Sequence, residues 1–215
     1  MIALLVALVL AVVIGGIGAL ARRFGWAPEP ARKLSHVATG LVALALPWLF
    51  ATDAPVIALA LAACAGLFAL RTVPALRARF GCALHGIERA SCGEFAFVAG
   101  VALAFVLAHD RPAVYAAAIG TLAFADAAAA LVGRRFGRHG YAVGHARKSL
   151  EGSCAFFAVA ALLCTLLPGA GNVLAIAAFA LATTLAEALA GDGLDNAAIP
   201  LAGITALRLF SGGLS

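Results

Sequence analysis

The sequence predicts an all-α, polytopic integral membrane protein of about eight transmembrane helices, seven if the last apolar segment does not span. Three observations predict it. Hydrophobic residues fill 64% of the 215 positions and charged residues only 12%. Mean hydropathy is +1.06, outside the range of a soluble chain with one large core. Apolar runs near the ~20 residues of a membrane span recur along the chain, with the basic residues gathered in alternate connections.

Taken in order, the apolar segments fall at 2–20, 35–51, 54–70, 93–109, 112–133, 152–168, 172–190 and 197–212. Backbone polar groups in lipid must be paired within the segment, so runs of this length read as helices. The first resembles a signal peptide, with Ala19-Leu20-Ala21 as a cleavage site. It lacks a basic leader and runs into Arg22-Arg23, so it is read as a retained helix. The last is short, contains Pro200 and carries Arg208. The whole is read as one membrane-embedded domain over residues 1–215.

Arg22, Arg23, Arg32 and Lys33 follow the first segment, Arg71, Arg77, Arg79 and Arg89 the third, and Arg134, Arg135, Arg138, Arg147 and Lys148 the fifth. Thirteen of the fifteen Lys and Arg residues thus share one side. The positive-inside rule makes that side cytoplasmic and puts the amino terminus outside, in the cell's inner (plasma) membrane. This topological account of the +5 net charge leaves no case for nucleic-acid binding. The five cysteines, Cys64, Cys82, Cys92, Cys154 and Cys164, form no CxxC pair and no Cys/His zinc spacing, and read as small apolar fillers.

Asp126 is the residue with least structural excuse. An ionised carboxylate among alanines costs on the order of 2.5–3.5 kcal/mol even on the lenient insertion scale, so function is the default reading. It lies seven residues before Gly133, roughly 10 Å below the polar end of its helix at ~1.5 Å per residue. Ala123, Ala127 and Ala130 around it would let a neighbouring helix approach closely.

Three further groupings could carry chemistry. In Arg32-Lys33-x-x-His36-x-x-x-Gly40, His36 and Gly40 share a helix face behind two cations; the plain alternative is a juxtamembrane anchor. From Gly133 to Ser153 a basic stretch with Gly133, Gly137, Gly140 and Gly144 ends in Arg147-Lys148-Ser149-Leu150-Glu151-Gly152. Such glycines can bring backbone N–H groups close to an anion. It is no Walker A loop, because Arg147 stands where that motif needs glycine. Lys148 can serve as a point charge for phosphate and Arg147 as a bidentate partner, while Arg134, Arg135 and Arg138 suit a topological role. Third, Glu187 precedes Gly191-Asp192-Gly193-Leu194-Asp195-Asn196, whose hard oxygens suit Mg²⁺ bridged to substrate phosphates; a solvated turn is the alternative. Glu88-Arg89 and Gly93-Glu94 form a weaker set, and His85, His109, His139 and His145 have no nameable partner.

These elements resemble the CTP-dependent lipid-alcohol kinases: the dolichol, phytol and polyprenol kinases and the fungal-type diacylglycerol kinase. The matching stretches are RKLSHVATG (32–40), DAAAALVGRRFG (126–137), RKSLEGS (147–153) and EALAGDGLDNAAIPL (187–201). The resemblance implies an enzyme that moves the γ-phosphoryl group of CTP to the hydroxyl of a lipid alcohol with a divalent metal. It implies Mg²⁺ on Asp126, Glu187 and Asp195, and nucleotide contacts from Arg32, Lys33, Gly133, Arg134, Arg147, Lys148, Ser149, Gly152 and Asn196. Asp126 and Lys148 would be catalytic, with His36 or Glu151 taking the proton of the lipid hydroxyl.

Phosphatidate cytidylyltransferases share the middle of the pattern. Their long carboxy-terminal lysine, histidine and aspartate signature is missing here, the chain is short for them, and Arg32-Lys33-His36 is similar to the kinases instead. An ion-coupled transporter is a third class, but its sites lie near the bilayer midplane between inverted repeats, and no repeat is evident.

Overall fold

The computed structural model describes residues 1–74, 92–166 and 172–210. Arg77, Arg79, Cys82, His85, Glu88 and Arg89 lie outside the described residues. The apolar run at the amino terminus forms α1 (Ile2–Phe24), stopped by Gly25 in the left-handed conformation, where Trp26 N–H bonds Ala21 C=O at 2.9 Å. Helices α2 (Pro28–Leu44) and α3 (Leu46–Leu49) follow, then α4 (Asp53–Thr72) and α5 (Gly93–Ala108). The segment expected at 35–51 as one helix is therefore divided at Ala45, two residues before Pro47, which cannot continue the ladder.

Next comes α6 (Pro112–Phe136), a 25-residue helix with a π turn at Thr121–Ala125 directly before Asp126. Strands β1 (Gly140–Val143) and β2 (Ala146–Ser149) form an antiparallel hairpin. The chain then continues through α7 (Leu150–Leu166), α8 (Val173–Leu189) and α9 (Asp195–Phe210). Asn172 caps α8 by accepting from Ala175 N–H at 2.9 Å, and Ser149 caps α7 by accepting from Gly152 N–H at 3.1 Å.

Among the described residues the hairpin is the one departure from helix in an otherwise α-helical architecture. Its strands are four residues each, joined through Gly144-His145 with Val143 opposite Ala146. Gly144 has a positive φ of 57°, and glycine adopts the tight two-residue turn without steric cost. By length and composition α1, α4 and α6 can each cross a membrane; α5, α7 and α8 are apolar but 16–17 residues long.

Helix α6 is central. Half of its apolar window is buried, against 11% for α1 and 6% for α4. Around it α5, α7, α8 and α9 enclose Tyr115, Phe105, Phe156, Phe179, Ile199 and Ile204. The Tyr115 hydroxyl, buried with its ring, donates to Ala43 C=O at 2.9 Å, so the core's largest polar side chain also ties α6 to the end of α2.

Two close approaches set the positions that matter for function. A Cβ on Gly40 would lie 2.6 Å from Ala123 Cβ, so α2 and α6 meet where one has no side chain and the other a methyl group. A Cβ on Gly152 would lie 2.9 Å from Ala129 C=O and 3.5 Å from Gly133 Cα. Gly133 and Gly152 thus bring α6 and α7 together.

Candidate phosphoryl-transfer site

The Gly40–Ala123 contact fixes what lies along the same helix faces. His36 and Lys33 are one and two turns before Gly40, and Asp126 is one turn after Ala123. Lys33 Nζ reaches Asp126 Oδ2 at 2.5 Å, and the two side chains are only 14% and 12% exposed. His36 Nε2 donates to Leu122 C=O at 3.1 Å and stands 3.6 Å from the same Asp126 oxygen, too far for a hydrogen bond. The imidazole and the Phe97 ring meet edge to face, ring centroids 4.8 Å apart. The carbonyl that holds His36 belongs to the π turn, where the widened ladder departs from ordinary helical pairing. Arg32 is also within electrostatic range of Asp126.

The second half of the site is delivered by the hairpin. Lys148 pairs with Tyr141 across the two strands, and alternation points it inward. Its Nζ lies 2.9 Å from Glu187 Oε1 and 3.3 Å from Asp195 Oδ2, and it also donates to the Glu187 backbone carbonyl. Burial alone would lower the Lys148 pKa; Glu187 and Asp195 outweigh it and hold the ammonium above its ordinary value. Tyr141 OH meets Ser153 Oγ at 2.7 Å, and Ser153 Oγ donates to Glu187 Oε2 at 3.4 Å. The two halves adjoin, since Asp126 and Asp195 both act electrostatically on Glu187.

The remaining expected residues are placed differently. Arg147 is exposed on the outer face of β2, opposite Ala142, so it and Lys148 point to opposite sides of the hairpin. Arg134 is exposed and donates to Ala130 C=O of its own helix at 3.2 Å. Ser149 uses its oxygen as the α7 cap. Asn196, 7% exposed, donates to Gly93 C=O at 2.8 Å and binds α9 to the start of α5. Glu151 is at the hairpin foot, 2.8 Å from His139 Nδ1, accepting also from His139 N–H at 3.3 Å. The His139 hydrogen bond draws the Glu151 carboxyl down to about 2.

Sequence reasoning gave no role to Tyr141 or Ser153 and left His139 and His145 without a partner. Their signal was weak: Gly-His between two four-residue runs is a two-residue hairpin pattern, but each run is too short and too polar to stand out from a loop.

Hard carboxylate oxygens converge here, yet among the described residues no three His, Cys, Asp or Glu side chains stand together at metal-holding distance.

No family model matches the chain, and no solved structure matches it. Among curated proteins, the chain is 31% identical over 182 residues to the phytol kinase of Synechocystis sp., covering 80% of this chain and 76% of that protein. With that identity spread over most of both chains, the protein belongs to the phytol kinase family of lipid-alcohol kinases.

Proposed function

We propose that the protein transfers the γ-phosphoryl group of CTP to the hydroxyl of a membrane lipid alcohol of the phytol or polyprenol type, at the cytoplasmic face. The observation that carries this reading is the convergence of Lys148, Glu187, Asp195 and the Lys33–Asp126 pair, drawn from five separate elements. Phosphoryl transfer needs positioning and charge neutralisation more than covalent chemistry, and these residues supply both.

Glu187 and Asp195, which share Lys148 as partner, would be the carboxylates offered to Mg²⁺, with Asp126 in electrostatic range of Glu187; the metal would neutralise phosphate charge and orient the triphosphate. Lys148 exchanges its carboxylate partners for phosphate oxygens when nucleotide binds, and so remains paired throughout. Lys33 is the ion-pair partner of Asp126, with Arg32 beside it. The lipid hydroxyl oxygen forms the new bond to γ-phosphorus, the bond to the β–γ bridging oxygen breaks, and CDP leaves with that electron pair.

The hydroxyl proton goes to a base beside Asp126. His36 fits: donation from Nε2 to Leu122 C=O makes Nδ1 the lone-pair nitrogen. Glu151 fits poorly, because a carboxyl held at about 2 is a weak proton acceptor at neutral pH.

Incubation with CTP labelled separately at the α and γ phosphates, against phytol, polyprenol, diacylglycerol and phosphatidate, tests the reading. Label from γ in an alcohol is expected. Label from α in phosphatidate would make the protein a cytidylyltransferase instead.

A further inference from the structure

The turn between α8 and α9 holds Asp192 with a positive φ of 55°, the one non-glycine residue in that region of the backbone among the described residues. Asp and Asn tolerate this conformation better than other side-chain-bearing residues. It is closed by Leu194 N–H on Gly191 C=O at 3.0 Å, and its carboxylate meets the tip of the hairpin. Asp192 Oδ1 accepts from His145 N–H at 3.4 Å and stands 3.2 Å from His145 Nδ1.

The fit between tip and turn depends on glycine from both sides. A Cβ on Gly144 would lie 2.8 Å from Asp192 Oδ2, and a Cβ on Gly191 would lie 2.6 Å from Val143 C=O. Neither can be added without something moving. Lys148 is three residues along β2 from His145, and its partners Glu187 and Asp195 flank the turn on either side. The tip contact therefore fastens the strand that carries the ammonium to the chain segment that carries both carboxylates.

We infer that Asp192 is a positioning residue: by holding the hairpin tip through His145 it keeps Lys148 seated between Glu187 and Asp195. Its role is to accept hydrogen bonds, not to ligate metal or supply charge. An asparagine at this position keeps both the accepting oxygen and the tolerated φ, and so keeps the role. The inference concerns the site of the proposed kinase and rests on that reading only for the reaction affected.

The chain has two lysines, Lys33 and Lys148, which makes amine labelling a direct readout. The full-length protein in detergent is treated with an acylating reagent, and modification at each lysine is followed by mass spectrometry. In Asp192→Ala, Lys148 is expected to label roughly 2- to 10-fold faster, the factor that follows from losing one or two modest hydrogen bonds, with Lys33 unchanged. Gly191→Ala, which leaves the carboxylate in place, should do the same by prising the tip away. Asp192→Asn should behave as the parent protein.

In the kinase assay Asp192→Ala should raise the KM for CTP by a similar factor with kcat less affected, and Asp192→Asn should restore it. Unchanged Lys148 labelling in both Asp192→Ala and Gly191→Ala overturns the inference. So does equal exposure of Lys33 and Lys148, which means general loosening, or an Asp192→Asn variant as impaired as Asp192→Ala. Labelling as expected in a protein that phosphorylates no lipid alcohol upholds the positioning role and removes the kinase reading.

Discussion

Lys33 and Asp126 are 93 residues apart in the chain and 2.5 Å apart in the structure. Each is a charge that a chain of this composition would not bury alone. Removing one partner of a buried pair typically costs about 3–5 kcal/mol, because the other is left uncompensated. Lys33→Met should therefore lower the unfolding temperature in detergent markedly, and the double variant Lys33→Met/Asp126→Asn should regain much of the loss. Phosphorylation should stay abolished in both. Activity in Asp126→Asn at parent level would remove Asp126 from the site.

Lys148 and Arg147 are adjacent in sequence and divided by the strand. Lys148→Ala is expected to reduce activity on the order of 10²-fold, the scale seen when one charge-stabilising donor is removed from a reaction centre. Arg147→Ala, exposed on the outer face, should cost about 0–1 kcal/mol, less than roughly fivefold in rate. Steady-state rates with CTP as the varied substrate measure both. The reverse ranking would mean that the hairpin presents its other face to the nucleotide.

The carboxylates around Lys148 predict its behaviour with pH. Its pKa is raised above 10.5, so the stabilisation from its ion pairs is fully present below that value and is lost as pH climbs through the raised one. No alkaline limb from Lys148 should appear in the activity profile between pH 6 and pH 9. Labelling of Lys148 should accelerate only above pH 10.5. A labelling midpoint in the range pH 8 to pH 9 would contradict the ion pairing.

Chelation of divalent ions should abolish γ-phosphoryl transfer, and added Mg²⁺ should restore it. Asp195→Asn should raise the Mg²⁺ concentration needed for half-maximal rate, since one of the hard oxygen donors becomes neutral. Full activity in excess chelator would end the metal assignment.

The helices were readable because each is an apolar run of sufficient length, and all eight expected segments fall largely in helix. The hairpin was not, because four alternating residues on each side of Gly144-His145 carry too little hydrophobic contrast. Nor does composition reveal the π turn: Thr121–Ala125 is as apolar as the helix around it. The charged residues could be nominated one at a time, since ions in apolar surroundings are conspicuous. Their pairing could not, because Lys33 with Asp126 and Lys148 with Glu187 are tertiary facts set by Gly40 against Ala123 and by the strand register. Asn196 and Ser149 looked like ligand contacts, and the structure engages them in holding helix ends.

The π turn also acts as a phase shift. It holds one residue more than the α turn it replaces, and a residue of α-helix is a rotation of about 100°. Upstream, α6 is indexed to the core through Tyr115 and Ile119; downstream, it is indexed to α2 and the hairpin. Without the extra residue those two alignments would disagree by about a quarter turn, and Asp126 would face away from Lys33. Deleting a single residue within Thr121–Ala125 would thus turn Asp126 away from Lys33, changing the angular setting of a side chain that is still present, and would turn the core residue Ala129 with it.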